Sequence, residues 1–133
     1  MRPLFVYGTL RPDFDGPMAK RLKSESCHIG PARVRGRLHC IADYPGLIMA
    51  GNGWVHGDLM LMADAGATLA WIDAYEECDL HFPEPHEYLR KLALVEGGVG
   101  KVYAWTYIYA LPVTGLPIVA GGDFLTCAQR CGG

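Results

Sequence analysis

One segment, "YLRKLALVEGGVGKVYAWTYIYAL" at residues 88–111, limits the possible folds more than any other. Two runs rich in Leu, Val, Ile, Tyr and Trp flank "EGGVGK" at residues 96–101. Aromatic and β-branched side chains suit a pleated, half-buried surface, and glycines supply the turn between two such runs. The segment is therefore predicted to be a β-hairpin, with strands over 88–95 and 101–111.

The rest of the chain follows the same short rhythm. Seventeen glycines and nine prolines cut the apolar residues into brief runs, which reads as many short strands and turns. Further strands are predicted at 3–7, 32–42 and 54–62. Only two stretches look helical, 16–24 and 64–77, the second with Asp64 as its N-cap. Strands with two helices predict an α+β domain, its small mixed sheet curled into a barrel and flanked by short helices. At 133 residues a single domain spanning 1–133 is the expectation, the pattern being weakest towards the C-terminus.

Charge and cysteine usage narrow the function classes. Net charge is −2, and Arg33, Arg35 and Arg37 alternate as they would on the solvent face of a strand. The acidic balance elsewhere argues against a nucleic-acid partner. The longest apolar stretch, residues 102–113, is too short to span a bilayer, and "MRPLFVY" lacks the apolar core of a signal peptide. No membrane association is expected. Cys27, Cys40, Cys78, Cys127 and Cys131 form an odd, scattered set without a CxxC pair or a disulfide framework, which suits a reducing cytoplasm. Oligomeric state has no signature in the sequence.

Two features raise chemical questions. In "FVYGTLRP", residues 5–12, a strand is stopped by Gly8, either as a tight turn or as a backbone cradle for a ligand. In the second helix, Ala65, Leu69 and Ile72 form the apolar face, and Glu76 projects between Leu69 and Ile72. A carboxylate aimed at the interior is costly unless it is neutralised or hydrogen-bonded, and burial raises its pKa towards neutrality. That suits a group which accepts and returns a proton. The other reading is an early helix end that releases Glu76 to solvent, and periodicity leaves both open.

Taken in order, "VYGTLRP", "YPGL" (residues 44–47), "IDAYE" (72–76) and "EYLRKLALV" (87–95) resemble the γ-glutamylcyclotransferase-like family, and in particular its short branch of γ-glutamylamine cyclotransferases. The resemblance implies a small β-barrel with a cavity at one end. It implies that Tyr7, Gly8, Thr9 and Leu10 line the cavity and hold the glutamyl portion of a substrate through their backbone amides. It places the catalytic glutamate on Glu76. The implied reaction is intramolecular: the α-amine of a γ-glutamyl amine, amino acid or peptide attacks its own γ-carbonyl, releasing 5-oxoproline and the free amine. Neither metal nor organic cofactor is needed for it, and the partner is a small γ-glutamyl molecule.

Two departures stand out. Many relatives have Gly directly after the catalytic glutamate, where this chain has Glu77, a second carboxylate able to raise the pKa of Glu76 by repulsion. The segment 78–87 is moderately long and reads as a lid or a substrate-selecting loop. Arg90 has two readings, substrate contact or structural ion pair; Tyr44 has two, pocket border or cover of the barrel end. His81 and His86 with Glu84 and Glu87 are irregularly spaced for a metal, and Cys78 reads as a small buried thiol. Two other functions remain in view: a tailoring cyclotransferase that removes a γ-glutamyl protecting group, and a non-catalytic module that binds a small molecule on the same fold.

Overall fold

The structure, a computed structural model, describes residues 2–98 and 100–126. In chain order the elements are β1 (Leu4–Val6), α1 (Pro17–Glu25), β2 (Ser26–Arg35), β3 (Arg37–Cys40), β4 (Pro45–Ile48), β5 (Trp54–Met62), α2 (Ala65–Tyr75), β6 (Tyr88–Gly97) and β7 (Gly100–Tyr109). A short 3-10 turn, Ala120–Gly122, follows. Strands β1-β5-β2-β6-β7 close into a barrel, and β3 and β4 form a separate two-stranded sheet. The barrel is mixed because β1 runs antiparallel to β5 (Val6 opposite Asp58) but parallel to β7 (Leu4 opposite Trp105). The α+β barrel predicted from the sequence is the fold observed.

The hairpin β6–β7 pairs continuously from Tyr88 opposite Tyr109 to Gly97 opposite Gly100. Along β2, Ala32 and Val34 are buried while Arg33 and Arg35 face outward, the alternation that a strand with one covered face requires. Both guanidinium groups lie 3.8 Å from the centre of the Trp54 ring, and Arg33 bonds Glu96 at 2.8 Å. These arginines cover the barrel wall.

Two core layers result. Phe5, Val34, Val55, Leu59 and Val95 fill the barrel, whereas Leu4, Val6, Leu22, Met60, Met62 and Ile72 pack the helices against its outside. β1 contributes to both layers, which explains why all three of its residues are buried.

Three boundaries differ from the sequence prediction. The strand expected over 32–42 is two strands, broken at Gly36, where a Cβ would lie 2.6 Å from the Ile48 carbonyl oxygen. β2 begins earlier, at Ser26, and absorbs an irregularity between His28 and Gly30. β4 was not foreseen, because Pro45 and Gly46 read as turn residues. It pairs with β3 from Cys40 opposite Pro45 to Arg37 opposite Ile48.

Among the described residues no helix is long and apolar enough to cross a membrane. Among the described residues Cys27 and Cys78 are free thiols. Cys127 and Cys131 lie outside the described residues.

Candidate active site

The four quoted sequence segments meet at one end of the barrel, around a cavity of about 390 Å³. After β1 the chain enters it at Tyr7, whose hydroxyl donates to the Tyr107 carbonyl at 2.6 Å and accepts from the Leu47 amide at 3.2 Å. That hydroxyl is fully committed. Burial, with Glu76 nearby, pushes its pKa far above the usual phenol range, so Tyr7 acts as a neutral strut.

The next four residues, Gly8 to Arg11, form a turn closed by the Arg11 amide donating to the Gly8 carbonyl at 3.1 Å. Among the described residues no backbone carbonyl accepts from the amides of Gly8, Thr9 or Leu10. Gly8 and Leu10 are nevertheless buried, and all three residues line the cavity. Unpaired amides beside a cavity are what an anion-holding cradle requires. Thr9 Oγ1 lies 3.1 Å from the Tyr75 hydroxyl. Gly8 is there for close approach: a Cβ would sit 2.8 Å from Pro45 Cγ. Its φ is not left-handed, so the unusual dihedrals that a cradle glycine suggests are not needed here.

Arg11, unnoticed in the sequence, holds this turn from behind. The buried guanidinium bonds Asp58 through Nε and Asp123 through Nη1, each at 2.8 Å. Asp58 also meets His28 Nε2 at 2.8 Å. The "YPGL" segment braces the turn from the other side, Pro45 packing on Gly8 and receiving the Tyr88 hydroxyl on its carbonyl at 2.6 Å.

Helix α2 delivers the carboxylate. Asp64 caps it, accepting from the Ala67 amide at 3.1 Å, and Thr68, Leu69 and Ile72 are buried against the barrel. Near its end Asp73 takes Arg90 Nε at 2.9 Å, Arg90 Nη2 at 3.1 Å and the Tyr107 hydroxyl at 2.6 Å. Of the two readings of Arg90, the structural ion pair is therefore the one observed. These bonds fix the rotation of the helix about its axis.

The helix stops at Tyr75, yet Glu76 does not swing away. Its amide still reaches the Ile72 carbonyl at 2.8 Å, and its φ of −83° and ψ of 0° keep it nearly helical. Reversal comes one residue later. The Glu77 amide donates to Ala74 at 3.1 Å and the Cys78 amide to Asp73 at 2.9 Å, with Glu77 at φ 55°. This is a Schellman ending, whose left-handed position favours glycine. The helix thus ends early, as one sequence reading held, while the carboxylate faces the cavity, as the other did.

Burial, and then the nearby Glu87 carboxylate, push Glu76 up to about 7. The repulsive neighbour is Glu87 and not the adjacent Glu77, contrary to the sequence expectation. The Tyr44 hydroxyl holds Glu87 at 2.7 Å, and Tyr44, Glu87 and Tyr88 all line the cavity. Glu87, together with Asp43 and Tyr107, is a lining residue that the sequence had not singled out for this role. Its position directly before the "Tyr-x-Arg" strand was the available signal. Between Glu77 and Glu87, residues 78–86 supply none of the lining, so the loop meets the cavity only at its two ends.

Cys78 has its thiol pushed up to about 12, first by burial, which makes it a poor nucleophile. Among the described residues no three His, Cys, Asp or Glu side chains converge as metal ligands would. His86 Nε2 pairs with the Phe82 carbonyl at 3.1 Å.

Comparison with known proteins identifies the family and the fold. Residues 4–126 match the family described as gamma-glutamyl cyclotransferase, AIG2-like. The gamma-glutamylcyclotransferase family protein YtfP of Escherichia coli K12 is 32% identical over 129 residues, 92% of this chain and 95% of its own. The solution structure of Escherichia coli YtfP superposes with a TM-score of 0.63 at 30% identity, covering 92% of this chain and 96% of that one. An AIG2-like protein from Mus musculus has the same fold, with a TM-score of 0.70 at 23% identity over 92% of this chain and 88% of its own. The chain belongs to the AIG2-like γ-glutamylcyclotransferase family.

Proposed function

We propose that the protein cyclises the γ-glutamyl group of a small amide, with Glu76 as general base and then general acid. Nucleophile and electrophile belong to one molecule, so folding the substrate correctly removes much of the orientation cost. The unpaired amides of the Gly8 to Leu10 turn hold the substrate's α-carboxylate or receive the developing oxyanion, and Thr9 adds a hydroxyl at the mouth. The α-ammonium loses a proton to Glu76, and its nitrogen attacks the γ-carbonyl carbon. As the new C–N bond forms, nitrogen releases a second proton, and the old amide C–N bond breaks. Both protons end on the departing nitrogen, the first returned by Glu76. The products are 5-oxoproline, which keeps its carboxylate, and an alkylammonium ion.

The observation that carries this reading is Glu76, unpartnered among the described residues, facing the cavity with its pKa raised to about 7. A base poised near the working pH accepts and returns a proton most efficiently. A pure binding module has no use for a carboxylate in that state. The test incubates the purified protein with a panel of γ-glutamyl amines, amino acids and peptides and measures 5-oxoproline. Turnover is expected, and Glu76→Gln is expected to lower it by about 10²–10⁴-fold, the usual range for a removed proton-transfer group. Tight binding of one conjugate with no product from any would establish the non-catalytic module instead. Loss of activity in Glu77→Gln with retention in Glu76→Gln would move the base to the neighbouring residue.

A further inference from the structure

The two halves of the site arrive on different elements. Glu76 hangs from the end of α2, and the Gly8 to Leu10 turn continues from β1. Leu69 and Ile72 share an apolar cluster with Leu4 and Val6, which brings helix and strand together. Apolar burial is non-directional, so it does not by itself orient the last turn of the helix. Polar contacts must do that.

One residue reaches both halves. Tyr107 of β7 is buried; its hydroxyl donates to Asp73 Oδ1 at 2.6 Å, and its carbonyl accepts from the Tyr7 hydroxyl at 2.6 Å. Asp73 lies about one helical turn before Glu76. Its own carbonyl takes the Cys78 amide at 2.9 Å, closing the reversal beyond Glu76. Tyr7 directly precedes Gly8, so a continuous path runs from Glu76 through Asp73, Tyr107 and Tyr7 to the turn. Arg90, opposite Tyr107 in the hairpin, stiffens the middle of this path. It holds both Asp73 oxygens and lies 4.7 Å from the centre of the Trp105 ring. Burial, and then the Asp73 carboxylate, push the Tyr107 phenol far above its usual range, so it stays a donor. A second tie, Thr9 Oγ1 to the Tyr75 hydroxyl at 3.1 Å, is exposed, where water competes for both hydroxyls. The buried path is the stronger one.

We propose that Tyr107 is a positioning residue that sets the separation between the Glu76 carboxylate and the Gly8 to Leu10 turn. Its hydroxyl holds the helix end through Asp73, and its carbonyl holds the entry to the turn through Tyr7. This rests on the cyclotransferase reading above and adds to it a residue that acts through Asp73 and Tyr7.

Tyr107→Phe tests it, because the hydroxyl is lost while the carbonyl that holds Tyr7 remains. With a γ-glutamyl conjugate that the parent protein turns over, kcat is expected to fall by about 10–100-fold, with KM within about twofold. The same substitution made in Asp73→Ala is expected to add almost nothing, since hydroxyl and carboxylate form one linkage. A fall in kcat below about threefold, a rise in KM as large as the fall in kcat, or fully multiplicative losses would overturn the proposal. Amide hydrogen exchange of the substrate-free protein gives a readout that needs no turnover. In Tyr107→Phe the Glu76 and Cys78 amides are expected to exchange about tenfold faster relative to the amides of the β6–β7 hairpin. Uniform acceleration, or none, overturns the positioning role. Absence of 5-oxoproline from every conjugate with the parent protein would instead sink the cyclotransferase reading, and exchange alone would then decide the role of Tyr107.

Discussion

Two charged clusters sit on opposite sides of the Gly8 to Arg11 turn, and they are built on opposite rules. Behind the turn, Arg11, Asp58, His28 and Asp123 are joined by bonds of 2.8 Å, with the Arg11 and Asp58 side chains 9% and 7% exposed. In front of it, Glu76 and Glu87 share a cavity that no Lys, Arg or His lines among the described residues, and burial, followed by the Glu87 charge, raises the pKa of Glu76. Buried charges that hold shape are paired, because leaving one alone costs several kcal/mol. Charges that do chemistry or wait for a ligand are left unpaired, and the protein carries the cost. The turn between them is held rigid on one side and lines the cavity on the other.

Breaking the paired side has the largest expected effect. Arg11→Met removes the cation and leaves buried Asp58 with its His28 contact alone among the described residues, so stability is expected to fall by up to about 3–5 kcal/mol. Urea denaturation monitored by tryptophan fluorescence reads this directly. A loss below about 1 kcal/mol would mean that the cluster is no more than a surface-type ion pair.

Breaking the unpaired side should do the reverse. The pKa of Glu76 in the folded protein is about 7 against an ordinary 4.5, so folding is favoured with the proton on. That contribution is complete below about pH 4.5 and is lost as pH rises through 7. Glu76→Gln never ionises. It is expected to match the parent protein near pH 4 and to exceed it above pH 7 by about 2–3 kcal/mol, an upper figure because the cavity is open at its mouth. Thermal melts at pH 4 and pH 8 check the sign, and a variant less stable than the parent at pH 8 would contradict the assigned burial.

The same contrast explains what the sequence disclosed. Strand alternation, the hairpin and the Asp64 cap are local patterns, and each is legible along the chain, whereas periodicity left the direction of Glu76 open. The resemblance added the order in which separate segments meet. The Arg11 cluster was hidden because its partners lie 47 and 112 residues away and have no local period. β4 was hidden because proline and glycine are turn residues until a partner strand such as β3 pairs with them. Glu87 read as one more polar residue of a loop, since only tertiary packing brings it to the Tyr44 hydroxyl and the Glu76 carboxylate.

A milder change sharpens the boundary between the two rules. Glu77 holds the left-handed position of the α2 ending at φ 55°, where a side chain is strained and glycine is at home. Glu77→Gly is therefore expected to stabilise the fold by about 1 kcal/mol while leaving Glu76 where it is. A destabilised Glu77→Gly variant would show that the Glu77 side chain makes a contact worth more than the strain.

The smallest expected effect separates the two carboxylates next to Glu76. Glu87 raises the Glu76 pKa through space, after burial, whereas Glu77, exposed at the backbone reversal, does not. Removing the Glu87 charge therefore lowers the Glu76 pKa from about 7 by a fraction of a unit, since burial, the larger cause, remains. In Glu87→Gln the carboxyl resonance of Glu76, followed by carbon NMR in the absence of substrate, is expected to titrate at a lower pH than in the parent. Glu77→Gln is expected to leave that titration nearly in place, although Glu77 is the covalent neighbour. The opposite pattern would restore the sequence-based view that adjacency along the chain sets the charge of Glu76. The expected pattern makes the proton affinity of Glu76 a property of two segments that meet only when the barrel closes.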